Sequence, residues 1–246
     1  GSAAQGGVLH LRTKRGGASG IWGALRGGSF GLAQSDLGLQ WATTNTDGLA
    51  AARIERAEGD FEFIDDNGVA GVRQNNAYLR VGALARERWR PGPTGEVTAL
   101  VEGLFDTRGE PGSVQQPSVG AEGTQRRGVA SLAWRDVGLG AGTFTAEARG
   151  HLAYRDYHFT DDAPTFAGGV TAHRLTDTDL GLTTHLTYEG SGAHRPQLTA
   201  ELRHETAETG ADTLRTETRT RAAAMSAWQL FPADGLELVG ALRLDT

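Results

Sequence analysis

The sequence predicts an all-β protein that forms the wall of an antiparallel transmembrane β-barrel. Three observations predict this fold class. About eleven segments of roughly ten residues alternate apolar and polar side chains, turns rich in Gly, Pro, Asp and Asn separate them, and short and long connections take turns after the third segment. In an antiparallel meander, that last regularity gives one edge tight turns and the other edge long loops.

The alternation is clearest in the segment from Leu236 to Asp245. Successive side chains of a strand point to opposite faces of the sheet. One face of this segment carries Leu236, Leu238, Gly240, Leu242 and Leu244, and the other carries Glu237, Arg243 and Asp245. One face therefore suits hydrocarbon and the other suits water.

A short strand over Val8–Lys14 opens the chain, and eleven predicted wall strands follow it. They are Ile21–Gly28, Leu32–Ala42, Leu49–Glu58, Ala77–Trp89, Val97–Thr107, Gly128–Asp136, Phe144–His158, Asp177–Glu189, Gln197–Thr206, Leu214–Leu230 and Leu236–Thr246. The long connections are 59–76, 108–127, 160–176 and 207–213.

Composition narrows the class of protein. The chain has 246 residues, is 38% hydrophobic and 22% charged, and contains no apolar run near the roughly 20 residues of a membrane-spanning helix. A barrel strand needs only alternate residues to be apolar, so a low average hydrophobicity fits a barrel. The net charge of -6, with acidic and basic residues interspersed, argues against nucleic acid as a partner. With no Cys, the chain has no disulfide and no thiolate metal site.

Aromatic and charged residues extend the barrel prediction. Aromatic side chains near segment ends predict girdles at the lipid headgroups, and they are Trp22, Trp41, Phe105, Trp134, Tyr154, Tyr188 and Trp228. The charged side chains on the polar face predict a barrel lumen that is filled by water or by a plug. The alternative is a soluble β-sandwich, whose dry core would need every buried charge to be paired. The lumen candidates are Arg53, Glu55, Arg80, Glu102, Asp106 and Arg149.

Several short motifs resemble those of a known family, the TonB-dependent outer-membrane receptors. Gly6-Gly-Val-Leu-His-Leu-Arg-Thr-Lys14 is similar to the strand that ends the plug domain of these receptors, and Gly28-Ser-Phe-Gly31 to their first barrel turn. Gly59–Gly68 and Arg73–Ala77 resemble a loop of the siderophore and cobalamin branch, and Thr107–Gly112 resembles a further external loop.

The resemblance implies a division of the chain at its first turn. Residues 1–17 would end the plug domain, and residues 18–246 would form the N-terminal half of a barrel of about 22 strands. We therefore expect an internal part of a longer receptor. If Val8–Lys14 were instead a wall strand, the strand count would be even, and a small free-standing porin would fit.

The resemblance also implies a function. It implies a receptor in the bacterial outer membrane, surrounded by lipid, that imports a scarce solute such as a ferric siderophore or cobalamin when the inner-membrane protein TonB pulls on the plug. The alternatives are a passive porin and a structural barrel in an envelope assembly. We expect no enzyme and no cofactor, because the sequence carries no catalytic motif and its seven His are scattered.

Loop residues supply the remaining candidates. Asp65, Asp66, Asn67, Arg73, Asn75 and Asn76 are candidates for ligand contact. Asn also serves turn geometry, so a structural role for Asn75 and Asn76 stays open. Asp65 and Asp66 offer oxygen ligands for a structural Ca²⁺, although acidic loop tips are more often only solvated.

Overall fold

A computed structural model of the chain describes residues 18–64, 68–111, 118, 120–139, 144–162, 172–188, 194–210, 215–233 and 236–246. These residues form an eleven-stranded antiparallel sheet and a separate two-stranded sheet. The strands are β1 Gly20–Gly27, β2 Ala33–Ala42, β3 Thr46–Ala57, β4 Phe61–Ile64, β5 Ala70–Arg73, β6 Tyr78–Trp89, β7 Gly95–Gly109, β8 Ala121–Gly138, β9 Phe144–Asp161, β10 Ala172–Tyr188, β11 His194–Gly210, β12 Arg215–Ala233 and β13 Leu236–Asp245. No helix among the described residues is long and apolar enough to cross a membrane.

The large sheet is a plain meander, in which each strand pairs with its neighbours in the chain once the β4–β5 hairpin is set aside. Its eleven strands correspond one to one with the eleven predicted segments. The connections 43–45, 90–94, 139–143, 189–193 and 234–235 lie at one edge, which we call the short-turn edge. The connections 28–32, 58–77, 110–120, 162–171 and 211–214 lie at the opposite edge, the long-loop edge.

The strand register gives the sheet two faces of opposite character. On β9 the even-numbered residues from Phe144 to Tyr154 belong to the apolar face, and the odd-numbered residues, among them Arg149 and His151, belong to the polar face. Every strand continues the same division, because directly paired residues share a face. The apolar face of the neighbouring strand β10, for example, carries Leu180, Leu182 and Leu186.

The sheet has almost no internal hydrophobic core. Among the described residues only Ala121 and Ala227 are buried hydrophobic residues, whereas Leu25 is 85% exposed and Leu242 is 67% exposed. A single layer of strands cannot bury its apolar face against itself. Hydrocarbon outside the wall is the medium that would cover this face.

Aromatic residues mark the limits of the apolar band. At the short-turn edge the apolar face carries Trp41, Trp89, Trp134, Phe144, Tyr188 and Trp228. The rings of Phe144 and Tyr188 lie 5.3 Å apart, centroid to centroid. Phe105 and Tyr154 lie on the same face toward the long-loop edge. Trp22, predicted as a girdle residue, instead lies on the polar face, where its indole covers Gly38.

Strands β8 to β12 are 17 to 19 residues long, well beyond the roughly 9–11 residues that cross a bilayer. The extra length lies at the long-loop edge. Several predicted strands were too short at that edge; for example, the predicted Gly128–Asp136 begins later than the observed Ala121–Gly138. Beyond the apolar band both faces are polar, so the alternation that marks a strand is lost.

The predicted first long loop, 59–76, contains an ordered hairpin formed by β4 and β5. The Phe61 ring meets the Phe30 ring edge-on at 5.9 Å, and the Phe30 carbonyl accepts hydrogen bonds from the backbone of Glu58 and Gly59. The hairpin is therefore held against the first connection of the sheet. The structure has the predicted long connection here, but the hairpin within it was not predicted, because a four-residue strand is too short to show its alternation.

Candidate functional site

Ion pairs and charge-assisted hydrogen bonds run across the polar face from β1 to β13. Because directly paired residues project together, side chains of opposite charge on neighbouring strands reach one another. We call this set the polar-face lattice. Most of its pairs join adjacent strands, and others, such as Arg149 with Glu147, lie within one strand.

Asp36 on β2 centres the first part of the lattice. Its carboxylate accepts hydrogen bonds from Arg26 on β1 at 2.5 Å and from the Arg53 Nε on β3 at 2.6 Å. Next along the sheet, the Tyr78 hydroxyl donates to Glu55 at 2.7 Å. Asp36 is buried, whereas the Arg26 and Arg53 side chains are more than half exposed.

The middle of the lattice joins β6, β7 and β8, and β9 carries a pair of its own. The Arg80 Nε donates to Asp106 at 2.7 Å, and Arg127 pairs with Glu102. Within β9, Arg149 lies 3.5 Å from Glu147 with its side chain 61% exposed. The Arg149 guanidinium therefore has one ion-pair partner and remains largely exposed on this face.

Asp179 holds together three strands in the second half of the sheet. Arg203 on β11 donates to its two oxygens at 2.9 and 2.8 Å, and the His151 Nε2 on β9 lies 3.4 Å from it. Gly181 gives the His151 ring its space, since a Cβ at that position would lie 2.1 Å from the ring. A cavity of about 570 Å³ lies beside this group. Asp177, Arg203, Glu205 and Arg219 are among the residues that line it.

The most buried pair of the lattice lies at the short-turn edge. Arg88 and Asp47 are each 5% exposed, and the guanidinium binds both carboxylate oxygens. Glu96 lies 3.7 Å from the same guanidinium. This bidentate geometry is the arrangement in which an Arg and carboxylate pair is strongest.

The six lumen candidates, Arg53, Glu55, Arg80, Glu102, Asp106 and Arg149, all lie on the polar face. Sequence reasoning missed other members of the lattice, namely Asp36, Asp47 and Arg88. Alternation assigns a residue to a face, but only the register between strands shows which charges meet. The opposite charges at equal distances from a predicted turn were the signal that could have found them.

The loop candidates have different positions. Asp65, Asp66 and Asn67 lie outside the described residues. Arg73 is the last residue of β5. The Asn76 amide donates to the Gly59 carbonyl at 3.0 Å, which holds the two ends of the hairpin together.

Asn75 joins two loops. It adopts φ 59°, and its amide donates to the carbonyls of Ala121 at 2.8 Å, Ser118 at 3.2 Å and Glu110 at 3.4 Å. Asn tolerates this left-handed conformation better than most residues. The observed bonds of Asn75 and Asn76 are those of the turn-geometry alternative.

A cavity of about 530 Å³ lies beside Asn75 at the long-loop edge, lined by Arg56, Glu58, Tyr78 and Arg108 among others. Glu110 accepts a hydrogen bond from Arg108 and so raises the pKa of that guanidinium. Residues from both faces meet in this rim cavity. The sequence did not reveal it, because its walls come from four strands.

The described residues contain no group of three or more His, Asp or Glu side chains placed to hold a metal ion. The Ca²⁺ hypothesis for Asp65 and Asp66 stays a prediction. A Ca²⁺-dependent rise in melting temperature that disappears in D65N/D66N would support it, and a rise of equal size in the variant would contradict it.

One charged cluster lies on the other face, beyond Tyr154. It comprises Arg126 on β8, Asp156 and His158 on β9, and Arg174 on β10. Burial opposes ionisation of Asp156, but hydrogen bonds from Arg174 and Thr176 outweigh it and hold the pKa of this carboxyl below its usual range. We call these residues the outer cluster.

No family model and no curated protein matches the chain. Solved structures do match it. The chain superposes on the copper transporter OprC with a TM-score of 0.69 at 14% identity, covering 95% of this chain and 38% of that one. The ferric-catecholate import receptor Fiu of E. coli K12, in an open form, gives 0.69 at 12% identity, with 95% and 45% covered. The ferripyoverdine receptor of the outer membrane of Pseudomonas aeruginosa gives 0.65 at 12% identity, with 92% and 37% covered.

The fold is that of a transmembrane β-barrel wall. This confirms the predicted fold class, and the predicted resemblance to outer-membrane receptors is confirmed at the level of the fold. The chain spans less than half the length of each of these proteins.

Proposed function

We propose that the chain forms part of the wall of a bacterial outer-membrane receptor that imports a scarce solute. The observation that carries this proposal is the fold likeness to a copper transporter and to a ferric-catecholate import receptor, each over 95% of the chain. Copper, a ferric catecholate and ferripyoverdine are the cargoes named for those proteins. For this chain we propose a metal chelate as the imported solute. A ferric siderophore is the first candidate and cobalamin is the second.

The two faces of the sheet suit this role. The apolar face, limited by aromatic residues, would contact lipid, and the polar-face lattice would line a lumen filled by water or by a plug domain. Paired charges are held in place, so the wall offers a fixed polar surface. Loops at the long-loop edge would supply selectivity for the solute.

The proposed division of the chain follows the same reasoning. Residues 1–17 would end a plug, and residues 18–246 would form the N-terminal half of the barrel. TonB would supply the energy for import by acting on the plug. No cofactor is required by this scheme, since the wall only shapes the path and the binding surface.

The test is uptake of ⁵⁵Fe-labelled siderophores by cells with and without the protein, under iron limitation. We expect saturable uptake that a protonophore abolishes and that is lost when TonB is removed. A panel of catecholate, hydroxamate and mixed siderophores, with cobalamin as a further arm, would identify the solute class.

A passive porin is the second candidate, because a polar inner face also suits a diffusion channel. Purified protein in planar bilayers separates the two functions. Steady ion conductance without saturable binding, together with uptake that persists in the presence of a protonophore, would contradict the receptor proposal and favour the porin.

A further inference from the structure

The outer cluster places two arginines and an ion pair on the face that carries the apolar band. Arg174 and Asp156 form an ion pair on the apolar face, whereas pairs such as Arg80 with Asp106 and Arg203 with Asp179 lie on the polar face. The cluster lies immediately beyond Tyr154, where the band ends at the long-loop edge. Charged groups at this level would be next to lipid headgroups rather than acyl chains.

The geometry of the cluster leaves its cations available. Asp156 accepts a hydrogen bond from the Arg174 Nε at 2.8 Å and from the Thr176 hydroxyl at 3.0 Å, which fixes the Arg174 guanidinium while its side chain stays 49% exposed. Arg126 is exposed on the neighbouring strand and lies on the same face. A cavity of about 290 Å³ is lined by both Arg residues together with Thr124, Asp156 and His158.

The charge balance of the cluster favours an anion. In the lining of the cavity two guanidiniums face one carboxylate and His158 adds a further donor, while Glu208 on β11, opposite Thr176 on the same face, lies outside that lining. Glu122, the other carboxylate at this end of β8, is farther from the band and accepts hydrogen bonds from the Thr107 and Thr124 hydroxyls. Guanidinium forks match the oxygens of a phosphate better than a single point charge does.

An apolar groove runs below the cluster on the same strands. Its cavity, about 600 Å³, is lined mainly by Val101, Ala130, Leu132, Leu152, Leu180 and Leu182. Gly150 adds no side chain to the groove. A Cβ at this position would lie 3.9 Å from its nearest neighbouring atom, so the space above Gly150 is open. From Leu152 to Asp156 the distance along β9 is about 14 Å, at about 3.4 Å per residue.

We propose that β8, β9 and β10 form a docking site for a phosphorylated lipid on the outside of the barrel. The outer cluster binds the phosphate of the headgroup, with Arg126 and Arg174 as the principal donors, and the groove receives an acyl chain. This inference rests on the proposed membrane location of the wall. A free phosphate ion would use the cluster alone, whereas a lipid uses the cluster and the groove together.

The experiment measures lipid binding by the full-length protein in detergent micelles, by native mass spectrometry. There are two probes. The first is phosphatidic acid, a two-chain lipid with a phosphomonoester headgroup, and the second is a neutral lipid with the same chains. We expect saturable binding of the phosphorylated lipid and at least tenfold weaker binding in R126Q, since a hydrogen bond to a charged group is lost. R126K, which keeps the charge and loses the fork, should fall between the two.

The matched control is R127Q, one residue along β8 on the polar face. It removes the same charge from the same strand, and we expect binding within twofold of the parent. Equal binding by R126Q and the parent would overturn the proposal. An equal loss in R127Q would also overturn it, because net charge and not the outer cluster would then set the affinity.

Two further measurements complete the test. One distinguishes a lipid headgroup from a free phosphate ion, and the other distinguishes failure of lipid docking from failure of the proposed function. Displacement of the lipid by inorganic phosphate at a similar concentration would show a free-phosphate pocket and overturn lipid docking. A parent that integrates into vesicles and imports solute, but shows no preference for phosphorylated lipid, overturns this inference alone. A parent that does not integrate overturns both proposals.

Discussion

Placing an arginine on the apolar face of β9 tests the assignment of the two faces directly. Ala148 lies on the apolar face between the aromatic limits Phe144 and Tyr154. Its neighbour Arg149 is a natural arginine on the polar face. A148R therefore asks whether the same side chain, moved by one residue, is tolerated.

The expected magnitude follows from the depth of Ala148. Ten residue steps separate Phe144 from Tyr154, so at about 3.4 Å per step and a tilt of about 45° the band is about 24 Å tall. Ala148 lies about 10 Å into that band, close to its middle. An arginine facing lipid at the midplane costs about 2–4 kcal/mol, so the folded fraction relative to unfolded should fall by about 30- to 900-fold.

The assay is reversible unfolding in denaturant of the full-length protein in lipid vesicles, followed by tryptophan fluorescence. Two variants with the same Ala to Arg change accompany A148R. A146R lies on the same face about 5 Å from Phe144, where the cost should be about 0–1 kcal/mol. A223R lies on the polar face between Glu201 and Asp245, where the added cation gains partners and should be close to neutral.

The order of the three costs is the decisive result. A148R should be the most destabilising, and A223R should have little effect on the free energy of unfolding. If A223R costs as much as A148R, or more, the polar face does not line the lumen and the reasoning fails. Equal costs for A148R and A146R would refute the depth argument alone.

Three further substitutions test the packing of the wall. R88A leaves the buried carboxylate of Asp47 without its partner and should reduce the free energy of unfolding by about 3–5 kcal/mol, measured in the same denaturant assay. G59A puts a Cβ on a backbone with φ 72° and 2.1 Å from the Asn76 carbonyl oxygen, so it should lower the melting temperature and increase cleavage of the first loop by added protease. N75D keeps the size and turn preference of the residue but loses the amide donor to Glu110, Ser118 and Ala121, which should cost about 1–3 kcal/mol and increase cleavage by protease next to these residues.

Each of these predictions has its own control. The double variant D47A/R88A should be less destabilised than R88A, and an equal loss would show that the unpaired Asp47 carboxylate is not what destabilises R88A. G103A is the partner of G59A, since a Cβ at Gly103 meets nothing within 4 Å, and similar losses in both would contradict the steric argument. For N75D, unchanged protease sensitivity would show that the amide does not hold the second loop.

The membrane band was predictable from the sequence because period-two alternation survives wherever one face meets hydrocarbon. All eleven wall strands carry it, and the charged residues Arg53 and Glu102 fall on the face that the alternation assigns to them. The strand ends beyond the band were not predictable, since Thr124 and Arg126 follow no apolar alternation. The hairpin at β4 and β5 was missed for a different reason, since its four-residue strands are too short for alternation to identify them.

The sequence by itself determined which face of each strand is apolar and which is polar, because the polarity of a side chain depends only on the residue at that position. Only the tertiary structure decided the partners. The pairing of Asp36 with both Arg26 and Arg53, and the meeting of Arg126 with Asp156 and Arg174, depend on the register between strands. Register is set by turn geometry and by the fit of whole strands, which are properties of the assembled sheet and not of any one segment.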